Sequence, residues 1–189
     1  MNSPVLIEVP DRFETRRLVL RSPMPGDGAM VYRAVADSLV ELRKFPASLP
    51  WAMHEPSIEA SETYCREAHA RFVLRTDLPF LILLRDTGDM VGSTGLHRFD
   101  WSVPRFEIGF WRRTPAHSQG YMTEAIRGLV GFAQTTLGAR RLEAFTDNDN
   151  AASCALCERA GMILEGTLRH ERRAPDGSLR DTRVYAIAR

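Results

Sequence analysis

Glu107, Gly120, Asn150 and Ser153 are the residues whose types and spacing carry the most chemical meaning in this sequence. Gly120 lies where an alternating segment, Arg105 to Trp111, passes through a short polar loop into an amphipathic run opening Tyr121-Met122-Thr123-Glu124-Ala125. A helix that starts there presents unpaired backbone N–H groups and the positive end of its dipole, which suits a pyrophosphate. Gly120 would let the backbone approach the phosphates closely, and Thr123 would add a hydroxyl in the first turn. One glycine at a strand-to-helix turn is also ordinary structure, so this position does not decide alone. No Gly-Lys-Ser/Thr follows, so the loop is not a P-loop, and the three-glycine spacing of a dinucleotide site is absent.

Two other groups of residues invite a chemical reading. Cys154 and Cys157 have the two-residue spacing of redox and zinc motifs, but zinc would want a second pair and Cys65 stands alone. A redox pair would want an exposed thiol of low pKa; small residues buried in a short helix are the plainer account. Arg169, Arg172, Arg173 and Arg180 are interleaved with Glu171, Asp176 and Asp181, which reads as a solvated hairpin able to steer an acidic partner.

Composition narrows the classes. A length of 189 residues favours one domain, 1–189, at roughly 100–200 residues each. With 44% apolar and 26% charged residues the balance is that of an ordinary globular protein. A net charge of +1 gives no general attraction to nucleic acid or to an acidic membrane. The first apolar cluster, Val5-Leu6-Ile7, meets Glu8, Asp11 and Arg12 too soon for an export signal. No stretch approaches the roughly 18 apolar residues of a membrane span. Three cysteines fit a reducing compartment, so the expectation is cytoplasmic.

The elements that must position these residues follow from periodicity. Leu18 to Arg21 reads as a first strand, followed by turn residues and a helix around Met30 to Leu39. Lys44 to Pro56, with three prolines, Phe45 and Trp51, reads as an irregular connection whose aromatics either pack or line a pocket. A polar helix follows over Glu59 to Arg75. The runs at 80–84, 90–96 and 105–111 then form an antiparallel meander, its first turn holding Gly88. Met122, Ile126, Leu129, Val130, Ala133 and Leu137 fall at helical spacing before Gly138. Leu142 to Thr146 is a strand, and a right-handed crossover sets it parallel to Arg105–Trp111. A short helix, Asn150 to Ala160, and strands at 162–164 and 182–188, turning at Pro175–Ser178, complete a mixed α/β sheet with helices on its faces.

At this point the sequence resembles a family. His117 to Met122 is similar to the pyrophosphate signature of the GNAT acetyltransferase superfamily, Gln/Arg-x-x-Gly-x-Gly/Ala. Gly120 to Ala125, Asn150-Ala151-Ala152-Ser153, Glu158 to Met162 and the opening Phe13 to Arg21 resemble its RimJ/RimL-like branch, in the right order along nearly the whole chain. His117 replaces the usual Gln or Arg, and Met122 replaces the final Gly or Ala. The resemblance implies a mostly antiparallel twisted sheet of the α+β kind, with a central parallel pair splayed at an acetyl-CoA site. It implies transfer of an acetyl group to a primary amine, on a protein N-terminus or a small molecule, in a monomer or homodimer. The alternative on the same fold is a non-catalytic acyl-CoA-binding domain.

In that chemistry an amine attacks a thioester carbonyl and a thiolate leaves. The resemblance implies cofactor contacts from Phe110, Trp111, Arg112, His117, Ser118, Gln119, Gly120, Tyr121, Met122, Thr123 and Asn150. A backbone N–H near Phe110 or Trp111 would receive the oxyanion. Ser153 would protonate the leaving thiolate and Asn150 would hold the pantetheine arm. Glu107 is the first choice for a base acting through a water, with Glu171 second. Against these stand plainer readings: Ser153 as a helix-cap serine, and Glu107 as a solvated strand residue. Acceptor recognition is expected in 44–51 and in the hairpin near Glu171.

Overall fold

The computed structural model describes residues 3–116 and 119–189 of the chain. Its strands are β1 (Arg12–Glu14), β2 (Leu18–Arg21), β3 (Leu78–Leu84), β4 (Met90–Asp100), β5 (Arg105–Arg112), β6 (Arg141–Asp147), β7 (Ile163–Arg173) and β8 (Leu179–Ala188). Its helices are α1 (Gly28–Ala36), α2 (Leu39–Leu42), α3 (Ile58–Leu74), α4 (Tyr121–Thr136) and α5 (Ala151–Arg159). The strands make one sheet in the order β1-β2-β3-β4-β5-β6-β8-β7. Among the described residues only β5 and β6 run parallel.

The apolar run of β3 is buried on both faces, which is why it shows no alternation. Phe80 and Ile82 point into a core shared with Ile126 and Leu129 of α4 and Leu156 of α5. Leu81 and Leu83 point the other way, against Val31 and Val35 of α1 and Cys65 of α3. Helices therefore cover both faces, as the sequence predicts. The meander and the parallel crossover also form as expected.

Three elements differ from the sequence reading. The short edge strand β1 pairs with β2 through Phe13 and Leu20, a contact too brief to leave a period. The helix expected around Met30 to Leu39 is broken into α1 and α2 at Asp37–Ser38. There the Ser38 hydroxyl donates to the Ala34 carbonyl at 2.8 Å and accepts the Thr114 N–H at 2.9 Å, tying the break to the end of β5. Finally, β7 extends far beyond Leu164. It is exposed along nearly all its length, so no burial pattern marks it in the sequence.

Candidate active site

The parallel ladder of β5 and β6 holds for three partners only: Arg105 with Arg141, Phe106 with Leu142, and Glu107 with Glu143. Beyond Glu107 the strands part, although β5 continues to Arg112 and β6 to Asp147. The wedge between them has a definite polarity. Arg113 N–H donates to the Val91 carbonyl at 2.9 Å, on the β4 side. Bonding alternates sides along an antiparallel strand, so Trp111, Gly109 and Glu107 also bond toward β4. Ile108 N–H closes the last ladder bond, to the Glu143 carbonyl, and the N–H groups of Phe110 and Arg112 are left facing the wedge. The Phe110 N–H therefore faces the wedge, whereas the Trp111 N–H is turned toward Ser93.

The helices that follow the two parting strands start beside the wedge. Gly120 caps α4 at φ 74°, a left-handed conformation that a side chain resists, with no side-chain cap of its own. Among the described residues an added Cβ would meet only the Arg17 guanidinium, at 3.6 Å. Arg17 donates to the Gln119 carbonyl at 3.0 Å and to Glu124 at 2.7 Å, and lies over the Tyr121 ring at 4.6 Å. Glu124 also accepts from the Thr15 hydroxyl and the Arg17 N–H, each at 2.7 Å. Burial pushes the Glu124 carboxyl up, but these donors together hold it below its usual value. Thr123 accepts from Arg159 at 3.4 Å, so a second guanidinium flanks the helix start. The Met122 side chain is buried in the core, leaving only its N–H for a ligand. His117 and Ser118 lie outside the described residues.

At the other helix start, Asn150 Oδ1 accepts the Ser153 N–H at 3.1 Å. The cap of α5 is therefore Asn150, and Ser153, half-buried one turn in, keeps its hydroxyl out of that bond. The neighbouring Cys154 and Cys157 are buried, and burial, followed by Cys154 and Glu158, pushes the Cys157 thiol up to about 12. Such thiols are inert packing groups.

These residues fit a polyanion carrying an extended arm. Two guanidiniums and a helix start face one place, and buried Arg112 Nε and Thr114 Oγ1, just before the loop, have no partner among the described residues. Buried polar atoms of this kind are seldom left unpaired.

On the opposite face of the sheet lies a cavity of about 600 Å³, whose walls include Trp51, Tyr64, Ser93, His97, Gly109 and Trp111. Of the two loop aromatics singled out in the sequence, Trp51 lines it. Glu107, the register partner of the lining residue His97, is mostly buried, with Arg98 donating to it at 3.0 Å. Burial pushes its carboxyl up from the ordinary value, and Arg98, His97 and Arg172 offset part of that. Glu171 accepts from Thr182 at 2.7 Å and from Arg172 at 3.0 Å, while Arg172 donates to Ser48 at 3.2 Å. The 44–51 segment and the β7–β8 hairpin thus meet across the site. Arg17, Arg159, Asp77 and His97 were not singled out in the sequence. Each acts through a partner distant in the chain; Arg17 lay within the Phe13-to-Arg21 motif and Arg159 within Glu158 to Met162, but neither had a role assigned.

A wedge between parallel strands, with a phosphate-ready helix start at its side, is the framework of an acyl-CoA-dependent transferase. The chain belongs to the GNAT acetyltransferase family: the model of the acetyltransferase (GNAT) domain matches residues 17–163. Acetyl-CoA is accordingly its cofactor, and it is an N-acetyltransferase by family. It is similar to the uncharacterized N-acetyltransferase YoaA of Bacillus subtilis (strain 168), at 28% identity over 94% of this chain and 96% of that one. Among solved structures it is similar in fold to the microcin self-immunity acetyltransferase MccE in complex with acetyl-CoA and AMP, at 20% identity, TM-score 0.82, covering 93% and 94% of the two chains. It is likewise similar to RimL, a ribosomal alpha-N-protein acetyltransferase in complex with coenzyme A, at 20% identity, TM-score 0.82, covering 95% and 97%.

Proposed function

We propose that the protein, as one domain over 1–189, transfers the acetyl group of acetyl-CoA to a primary amine by direct attack in a ternary complex. The observation that carries this is the end of the β5–β6 ladder at Glu107 and Glu143, which leaves the Phe110 N–H facing an open wedge. The pyrophosphate binds the backbone of Gln119 to Thr123 under Arg17 and Arg159, and the pantetheine arm follows the free edge of β5. Asn150 retains its Nδ2 for that arm, since only its Oδ1 serves the cap. The thioester oxygen meets the Phe110 N–H, which stabilises the charge that develops as the tetrahedral intermediate forms.

An ammonium has a pKa of about 8 to 10 and must lose a proton before it attacks. Glu107 accepts that proton through a water; its raised carboxyl makes it a stronger base than an exposed glutamate. The leaving thiolate, with a pKa of about 8.5, takes a proton through the Ser153 hydroxyl. Arg172 and Ser48 close the acceptor side. The test is initial-rate kinetics with acetyl-CoA and varied amines. Intersecting double-reciprocal lines are expected; parallel lines would mean an acetyl-enzyme, and binding without turnover would mean a non-catalytic acyl-CoA-binding domain.

A further inference from the structure

We propose that the cavity receives a small monoamine with an apolar, ring-sized body, and that His97, held by Asp77, takes the ammonium proton there. This rests on the acetyltransferase reading above. Gly95 and Gly109 stand directly opposite each other in the β4–β5 ladder, and the His97 ring lies over both. A Cβ at Gly109 would come within 2.8 Å of His97 Nε2, and one at Gly95 within 3.1 Å. Two glycines in paired strands weaken a sheet, so their use here leaves room for the ring. His97 Nδ1 lies 2.6 Å from Asp77 Oδ1. A carboxylate can only accept, so Nδ1 carries a proton toward Asp77, and Nε2 is the ring nitrogen left for the cavity, an acceptor whenever the ring is neutral. Glu107 is the register partner of His97, two ladder positions beyond the Gly95–Gly109 pair on the side away from Trp111. The imidazole therefore stands between the carboxylate and the bound amine.

The walls set the substrate class. Trp51 and Trp111 pack on one another as an aromatic wall, ring centroids 5.9 Å apart at 56°, and Trp51 remains 42% exposed. Leu49, Val35, Phe110 and Tyr64 continue the apolar lining, and the volume suits a small molecule. Among the described lining residues the one carboxylate is Glu55, and Arg43 already donates to it at 2.7 Å. A polycation such as a polyamine or aminoglycoside would leave its further charges unpaired, at a cost that disfavours it.

The protons balance. One ammonium proton passes to Nε2 and onward through water toward Glu107. The freed amine forms the C–N bond, the C–S bond breaks, and the proton lost as nitrogen becomes an amide returns to the thiolate. The net reaction releases an amide, the free thiol and one proton.

The experiment is acetylation by the full chain of phenethylamine, tryptamine, spermidine, kanamycin and a short peptide with a free N-terminus. Acetyl-CoA affinity is measured alongside by calorimetry. The two arylalkylamines should exceed spermidine and kanamycin at least tenfold in kcat/KM, and Trp51→Ala should raise their KM about tenfold. His97→Asn should lower kcat about a hundredfold with acetyl-CoA affinity unchanged. Asp77→Asn, which loosens His97 and also the 3.6 Å pair with Arg71, should lower kcat about tenfold at constant KM, and His97→Gln serves if the first variant melts early. Preference for the peptide or the polycations would overturn the substrate class. Parental kcat in folded His97→Asn would overturn the base. Acetyl-CoA binding with no amine acetylated would instead remove the acetyltransferase reading itself.

Discussion

Glu107 and Glu143 are the last partners of the parallel ladder, and one residue further on the two central strands separate. Everything the site does depends on that separation. It turns the N–H groups of β5 from sheet-bonding groups into ligand-facing ones, and it sets the starts of α4 and α5 on either side of one opening. The cavity lies across β5, so under the proposed function an amine and a thioester would approach the same short piece of strand.

Gly120 should be required for its backbone rather than for mere flexibility. At φ 74° both Asp and Asn are tolerated better than most residues, so the pair separates shape from charge. Gly120→Asp should weaken acetyl-CoA binding more than tenfold, about 1.4 kcal/mol, and Gly120→Asn clearly less. Calorimetry giving equal affinities for the two folded variants would mean that no phosphate lies at this helix start.

Glu107 works as a base only when ionised, and burial raises the pH at which it ionises. The parental rate should therefore fall on the acid side at a pH above the ordinary carboxylate range of about 4. Glu107→Gln should depress turnover most at pH 6–7, where the amine is largely protonated, and least near pH 9. A constant ratio of variant to parent across this range would exclude Glu107 and point to Glu171.

The cysteines should be silent. Cys65 is pushed up to about 12 by burial, then by Asp27 and Glu62, and Cys157 to a similar value. Native protein should react negligibly with a thiol-specific disulfide reagent, whereas denatured protein should release three equivalents. Rapid reaction of the native Cys154–Cys157 pair would revive the redox reading.

Much of this was legible because the signals are local. The change from a two-residue to a 3.6-residue period at Trp111–Tyr121 marks the strand, the loop and the helix start together. Ser38 was not legible as a helix break, because its hydroxyl is recruited by Thr114, far along the chain. Nor was Arg17 as a guardian of Gln119, which docking of the β1–β2 turn on the start of α4 brings about, or His97 as the partner of Asp77, which the β3–β4 register brings about. Asn150 and Ser153 were legible as a pair, but which of them caps α5 is settled by backbone geometry at Asn150.

Asp147, at the end of β6, anchors α5 to the β7–β8 hairpin. It is 3% exposed and accepts from both arms of Arg180, at 2.7 and 2.9 Å. Burial pushes its carboxyl up, but Arg180 and the Asp149 N–H bring it below the usual value. A depressed carboxyl stabilises the fold above its unfolded pKa of about 3.9, and that contribution is lost as pH falls through the folded value. Asp147→Asn should cost about 2–3 kcal/mol at pH 7 and progressively less on acidification below pH 4. Denaturant unfolding that shows the same loss at pH 7 and pH 3 would contradict this ion pair.

Ser153 carries the most direct test of the whole account. Its hydroxyl stands outside the α5 cap, so Ser153→Ala should leave the melting temperature nearly unchanged, whereas Asn150→Ala should cost about 1 kcal/mol. A donor to the departing sulfur is felt mainly in the transition state, so its loss appears in kcat rather than in binding. Turnover of Ser153→Ala, measured at saturating acetyl-CoA and amine, should fall about a hundredfold with unchanged acetyl-CoA affinity. A folded Ser153→Ala enzyme that acetylates at the parental rate would contradict acetyl transfer in this wedge with Ser153 as its acid.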